Sequence, residues 1–273
     1  REQPDTIGII SATRGNHGQS LAYAASRYRL PVTIYVPQGN SVEKNNSMRA
    51  LGADLVEYGE DFQAAREEAY RRAEATGFQI VPSFHPDLVL GVATYALELF
   101  RKAPDLDVLY VPIGQGSGVC GCILARDLLG LTTEIVGVQS TEAPSYALSF
   151  AAGTVVTTES SNTLADGMAT RVPDPDALPI IRKGCSRIVQ VSDDEVASAI
   201  RAYWTGARCC IAGQGQTPRQ AGRRRPERRQ YRFRSVSQLG HAASRFGPTD
   251  GGVRSRGPSW PGLSRPSTSQ LVK

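Results

Sequence analysis

No stretch of 18 apolar residues occurs in the 273-residue chain, so no segment reads as a helix able to cross a bilayer. The first five residues, Arg1 to Asp5, carry no apolar signal segment. Lysine is scarce: Lys44, Lys102, Lys183 and Lys273 are the four present. Cysteine is scarce and unpatterned. Cys120, Cys122, Cys185, Cys209 and Cys210 make an odd number without a repeat. That argues against a disulfide scaffold and for a reducing, cytoplasmic compartment. Cys120 and Cys122 have no His or Cys partner pair at zinc spacing. They read as small buried residues behind a glycine loop.

The charge is unevenly placed. Residues 206–273 hold 13 Arg and one Lys against Glu227 and Asp250, a local charge of +12; the chain as a whole is only +5, so residues 1–205 carry −7. The basic character belongs to the tail and is poor evidence for a nucleic-acid partner. Leu, Ile, Val and Phe make up 9 of those 68 tail residues, too few to bury a core against so high a charge. Two origins fit such a tail: a disordered basic arm, or a segment translated out of frame. The near absence of lysine favours the second.

Up to Trp204 apolar segments of strand and helix period alternate. Strands are expected at Ile7–Ile10, Val32–Val36, Leu55–Val56, Gln79–Val81, Val108–Ile113, Ile135–Val138 and Ile188–Val191. Helices are expected from Asn16 to Arg29 (ended by Pro31), from Ser41 to Leu51 (stopped by Gly52), from Asp61 to Gly77, from Leu88 to Lys102, and near Val119–Leu129. A last one opens on a Ser192/Glu195 capping box and ends near Trp204. Strands separated by helices of this length indicate parallel βαβ units, an α/β fold.

Two loops carry the chemistry. The first, Ser11-Ala12-Thr13-Arg14-Gly15-Asn16-His17-Gly18-Gln19, joins a strand to a helix. N–H groups at a helix N-terminus attract anions such as carboxylate or phosphate. Gly15 and Gly18 let a backbone approach a ligand. Asn16 offers a donor and an acceptor, which suits an aromatic hydroxyl. Taken alone, such a loop is more often a capped helix start than a site. The second loop, Gly114-Gln115-Gly116-Ser117-Gly118, can form a nest of N–H groups around a phosphate. Extended to Gly121, it also matches a dinucleotide fingerprint. That reading wants an acidic residue at the end of the next strand, where Gln139 and Ser140 stand. A single-phosphate cofactor fits better.

Together the loops resemble those of fold-type II pyridoxal-phosphate enzymes, closest to the threonine/serine dehydratase group. Further segments fall where that resemblance requires: Val36-Pro37, Asn40 to Lys44, Arg49 to Ala53, Pro82-Ser83-Phe84, Gly91, Val111 to Gly114, and Ala165-Asp166-Gly167. The resemblance covers residues 1–204. It implies open parallel sheets with helices on both faces, tryptophan-synthase-β-like, in two subdomains. Residues 1–84 would form a small subdomain with the asparagine loop. Residues 85–204 would form part of the large cofactor-binding subdomain, and 205–273 an irregular basic tail. The implied cofactor is pyridoxal 5'-phosphate. Asn16 would meet its ring oxygen, and Gly114, Gln115, Gly116, Ser117 and Gly118 its phosphate. Thr13, Arg14, Gly15 and His17 would bind the substrate carboxylate. At Arg14 family members usually carry a small hydroxyl residue. His85 reads as a turn residue, and Asp166-Gly167 as either a turn or a substrate contact.

The implied reaction is β-elimination of L-threonine or L-serine to a 2-oxo acid and ammonia. A racemase or β-replacement enzyme on the same scaffold is an alternative, as is a non-catalytic truncated product. The family's Schiff-base lysine lies in a Phe-Lys-x-Arg-Gly motif before the asparagine loop, a place that would precede Arg1 here. On this reading the chain is incomplete at both ends and has no catalytic lysine. Lys44 and Lys102 are expected on solvated helix faces. Some relatives bind a divalent cation where Gln139, Ala143 and Ser145 stand, and two neutral side chains make a poor hard-cation site, so no metal is expected. The expected partner is a small amino-acid substrate, with no nucleic acid and no membrane. A homo-oligomer fits the complete protein.

Overall fold

A computed structural model describes residues 6–212, with side chains described through Tyr203. Two sheets organise these residues, and every strand pairing is parallel. The first has the order β3-β2-β1-β4. It is built from β1 (Ile9–Ala12), β2 (Val32–Val36), β3 (Asp54–Glu57) and β4 (Gln79–Ile80), linked by α1 (Asn16–Tyr28), α2 (Val42–Ala50) and α3 (Phe62–Thr76). Both faces are covered. On one side Val32, Ile34 and Val36 pack with Ala22, Ala25 and Met48 of α1 and α2. On the other, Ile10, Ala12 and Tyr35 pack with Phe62, Ala65, Ala69 and Ala73 of α3. Alternation along β2 sends successive side chains to opposite cores, as the two-residue period of a strand requires.

After α4 (Pro86–Lys102) comes the second sheet, β5-β6-β7, made of β5 (Val108–Pro112), β6 (Glu134–Ser140) and β7 (Arg187–Val191). Its helices are α5 (Ser117–Leu128), α6 (Ser145–Ala152), α7 (Ala177–Gly184) and α8 (Asp193–Ala212), with a short 3-10 turn at Asp166–Met168. Cys120 and Cys122 are fully buried in α5, and the Cys122 thiol lies 3.3 Å from the Tyr95 hydroxyl.

Several boundaries differ from the sequence reading for identifiable reasons. β1 lies two residues later than expected because its register on β2 starts at Ile9↔Val32; Ile7 is exposed. α1 ends before Pro31 acts. Arg29 adopts φ 54 and its N–H returns to the carbonyls of Ala25 and Ser26, a left-handed C-cap. In α4 the buried face is Val89, Ala93, Ala96, Leu99 and Phe100, with Val92 and Tyr95 half-buried beside it. His85 is its N-cap, its Nδ1 accepting from the Asp87 N–H. The segment between β6 and β7, unassigned from sequence, holds α6, the 3-10 turn and α7. The final helix keeps its Ser192/Glu195 capping box but runs on to Ala212, past the expected end near Trp204.

Candidate active-site cleft

The asparagine loop follows β1 and the glycine loop follows β5, so both lie at the carboxyl ends of parallel strands, where α/β sheets place their ligands. They open on one cleft of about 230 Å³. Thr13, Arg14, Gly15, Asn16 and His17 line it from the first loop, and Gln115 and Ser117 from the second. Lys44, Asp166 and Thr170 complete its polar wall, with Phe62, Ser83, Gly167 and Ala169.

Both loops are rich in free donors. Among the described residues, no backbone N–H from Gly114 to Val119 donates to a protein acceptor, and the first helical bond is Cys120 N–H to Gly116. No side chain caps α5. In the asparagine loop, Thr13 N–H bonds Tyr35 and Gly15 N–H bonds the Thr13 hydroxyl. The N–H groups of Arg14, Asn16, His17 and Gly18 have no such acceptor. Six consecutive donors at one helix N-terminus and four at another are arrangements that bind anions.

Glycine is needed in the second loop for packing as much as for ligand approach. A Cβ on Gly114 would collide with the Gly167 carbonyl, and Gly116 has φ +100 with Ala177 Cβ 2.8 Å from where its own Cβ would lie. The Tyr146 hydroxyl donates to Gln115 O at 2.9 Å and accepts from Asp174 N–H at 3.0 Å, holding the loop from below. Gly114 and Gly116 therefore shape the loop, a Cβ at Gly118 would meet only the Tyr95 hydroxyl at 3.5 Å, and Gln115 and Ser117 face the cleft. In the first loop, a Cβ on Gly18 would lie 2.5 Å from both Met48 Sδ and Thr13 Cγ2. Gly18 serves helix packing, not ligand approach.

Lys44 overturns its sequence reading. Instead of lying on a solvated helix face, its Nζ enters the cleft and donates to Asp166 Oδ1 at 2.8 Å and Oδ2 at 2.6 Å. A second bridge joins Arg171 Nε to Asp61 Oδ2 at 2.8 Å. Burial raises the Asp61 carboxyl, but the Ala64 N–H and Arg171 outweigh that and hold it below the usual carboxylate range. Sequence spacing could not have shown either bridge, because the partners are 122 and 110 positions apart.

His17 is held neutral. The Ser11 hydroxyl donates to Val81 O at 2.6 Å, so it accepts from His17 Nε2–H at 3.2 Å. Nδ1 then presents a lone pair, fully shielded and without a partner. Burial lowers the ring pKa to about 4, against a smaller opposing effect from the Val81 carbonyl. Asn16, by contrast, is exposed on the cleft wall. Gln139 and Ser145 are buried: Gln139 Oε1 accepts from Ala147 N–H at 2.9 Å while its Nε2 has no partner, and the Ser145 hydroxyl donates to Thr170 O at 2.7 Å. No group of three His, Cys, Asp or Glu side chains among the described residues is placed to hold a metal.

Comparison with known proteins gives this geometry its context. The family model for pyridoxal-phosphate dependent enzymes matches residues 1–230, farther than the quoted motifs reach. The chain is 32% identical over 215 residues to an L-threonine ammonia-lyase of Thermotoga maritima, covering 78% of this chain and 54% of that one. It is 32% identical over 197 residues to an L-threo-3-hydroxyaspartate ammonia-lyase of a Pseudomonas species, covering 72% of this chain and 62% of that one. Among solved structures, the processed form of threonine deaminase isoform 2 from Solanum lycopersicum superposes with a TM-score of 0.68 at 29% identity, over 75% of this chain and 60% of that one. The chain thus spans between 35% and 62% of the length of these and similar curated relatives. With parallel sheets, two donor-rich loops and a family match across most of its length, the chain belongs to the pyridoxal-phosphate dependent enzymes.

Proposed function

We propose that the protein of which these residues form part is a pyridoxal-phosphate-dependent ammonia-lyase. It would eliminate the β-hydroxyl of a threonine- or serine-type amino acid, leaving a 2-oxo acid and ammonia. The observation that carries this reading is the pair of donor-rich loops on one cleft, with Asn16 between them. The residues present fit the cofactor: a nest at the start of α5 for a dianionic phosphate, and an amide side chain for a ring hydroxyl.

When bound, pyridoxal phosphate supplies an electron sink for charge developing at the substrate Cα. The chain's own groups do the rest. Backbone donors from Gly114 to Gly118, with the Ser117 hydroxyl, hold the phosphate. Asn16 orients the ring. Donors of the Thr13–His17 stretch take the substrate carboxylate and fix which Cα bond stands over the ring. Neutral His17 adds no charge to that loop. The Lys44–Asp166 bridge ties α2 to the 3-10 turn at Asp166–Met168 in the cleft wall. A small lobe of residues 1–84 and a cofactor lobe of 85–204 follow the two separate sheets.

The test is an assay of the complete protein for 2-oxobutanoate and ammonia from L-threonine and for pyruvate from L-serine. Oxo acid formed in step with ammonia is expected. Epimerised amino acid without oxo acid would overturn the reading in favour of a racemase.

A further inference from the structure

The largest fully buried side chain among the described residues is Tyr146, on α6 beneath the glycine loop. Its hydroxyl meets two backbone groups, and their chemistry fixes the direction of both bonds. The Asp174 N–H can only donate, so the hydroxyl accepts from it, at 3.0 Å. The single hydroxyl proton therefore goes to the Gln115 carbonyl, at 2.9 Å. Burial raises the Tyr146 pKa, so that proton stays in place at any pH the folded chain tolerates.

The Gln115 carbonyl is one half of a rigid unit. A trans peptide is planar, with its C=O and N–H on opposite sides. Holding the Gln115 oxygen toward Tyr146 thus turns the Gly116 N–H the other way, to join the unpaired donors of the loop. Nothing in the loop itself enforces that choice. Gly116 has φ +100, and glycine populates both signs of φ about as readily. Turning the peptide over needs rotation only at Gln115 ψ and Gly116 φ. A carbonyl oxygen would then stand where the Gly116 N–H is, with its partial negative charge facing the anion. Ala177 and Ile181 also pack beneath Gly116, but an apolar neighbour does not distinguish a carbonyl from an N–H. The Tyr146 hydroxyl does, because among the described residues its proton has no other acceptor.

We propose that Tyr146 is a positioning residue for the cofactor phosphate: by holding the Gln115 carbonyl down, it keeps the Gly116 N–H turned toward the phosphate. The inference rests on the proposed pyridoxal-phosphate reading and deepens it. Tyr146 does not line the cleft and acts only through the peptide it orients.

The test is binding, measured by calorimetry on the full chain with pyridoxal phosphate and with pyridoxal, which has the same ring and no phosphate. Tyr146→Phe removes the hydroxyl alone. It is expected to weaken pyridoxal phosphate about tenfold, a factor of the size one hydrogen bond supplies, and to leave pyridoxal unchanged. Equal weakening of both ligands marks a merely structural role and overturns the inference. So does a folded variant that binds pyridoxal phosphate as wild type does. A second measurement needs no variant. In the isotope-labelled wild-type chain, the Gly116 amide proton resonance should move downfield as pyridoxal phosphate binds. A Gly116 signal that stays in place while the cofactor binds overturns the inference, whether or not Tyr146→Phe folds. Each of these results leaves the ammonia-lyase reading standing; a wild-type chain that does not bind pyridoxal phosphate overturns that reading and this inference with it.

Discussion

Lowering the pH from 7 to 5 protonates exposed histidines readily, and His17 is placed where the folded chain resists it. Its folded pKa is about 4, against 6.5 for an ordinary histidine. Between those values the unfolded state binds more protons than the folded one, so stability falls as the pH falls. The loss begins as the pH drops below 6.5 and is complete below the folded pKa. Linkage gives about 2 kcal/mol lost between pH 7 and pH 5, and about 3 kcal/mol by pH 4. Other groups titrate nearby. Asp193 and Glu195 are held below the usual carboxylate range by their hydrogen bonds, so their contributions disappear at lower pH. Burial raises Asp174, which gives the opposite sign. A His17→Asn variant keeps these groups and removes only the imidazole. Urea unfolding of both proteins at pH 7, 6 and 5 isolates the histidine as the difference in slope. Wild type should lose about 2 kcal/mol more than the variant over that range. Parallel pH profiles, within about 0.5 kcal/mol, would refute a neutral buried His17.

Gly116→Ala should cost about 2–4 kcal/mol and weaken pyridoxal-phosphate binding, because it combines a positive φ with a 2.8 Å approach to Ala177. A variant as stable as wild type in chemical denaturation would count against the packing argument. Asp166→Asn should cost about 1 kcal/mol or less in stability, since the pair with Lys44 is about a third exposed; a much larger loss in urea unfolding contradicts that. Borohydride treatment of the 273-residue chain with pyridoxal phosphate should fix no pyridoxyl group on Lys44, whose Nζ is tied up by hydrogen bonds to both Asp166 oxygens. Peptide mapping that finds one there refutes the pairing. Cys122 and Cys185, whose thiols burial pushes up to about 11 and about 12, should resist alkylation of the native chain at pH 8. Rapid labelling of either, located by mass spectrometry, would show that α5 and the turn before β7 open readily.

The order of strands and helices up to β7 was legible in the sequence wherever apolar period and punctuation agreed. Ser41 and Asp61 cap their helices through side-chain oxygens, and Gly77 closes α3 in the left-handed conformation; each is a local event that local residues announce. The segment between β6 and β7 was passed over because its helices α6 and α7 are only eight residues each, too short to be stable without tertiary contacts, although α7 sets Ala177, Leu178, Ile181 and Gly184 on one buried face. The extension of α8 was also hidden, because composition changes within the helix rather than at its end.

Sequence alone determined the two loops, their spacing after strands, and the absence of an acidic residue where a dinucleotide would need one. Each is a matter of residue type within a few positions. Only the tertiary structure decided that these loops share a cleft, that Lys44 belongs to it, and that Tyr146 holds the second loop from below. Those facts depend on pairs far apart in the chain, Lys44 with Asp166, Asp61 with Arg171 and Tyr146 with Gln115. Groups so placed acquire partners only when folded sheets bring them together.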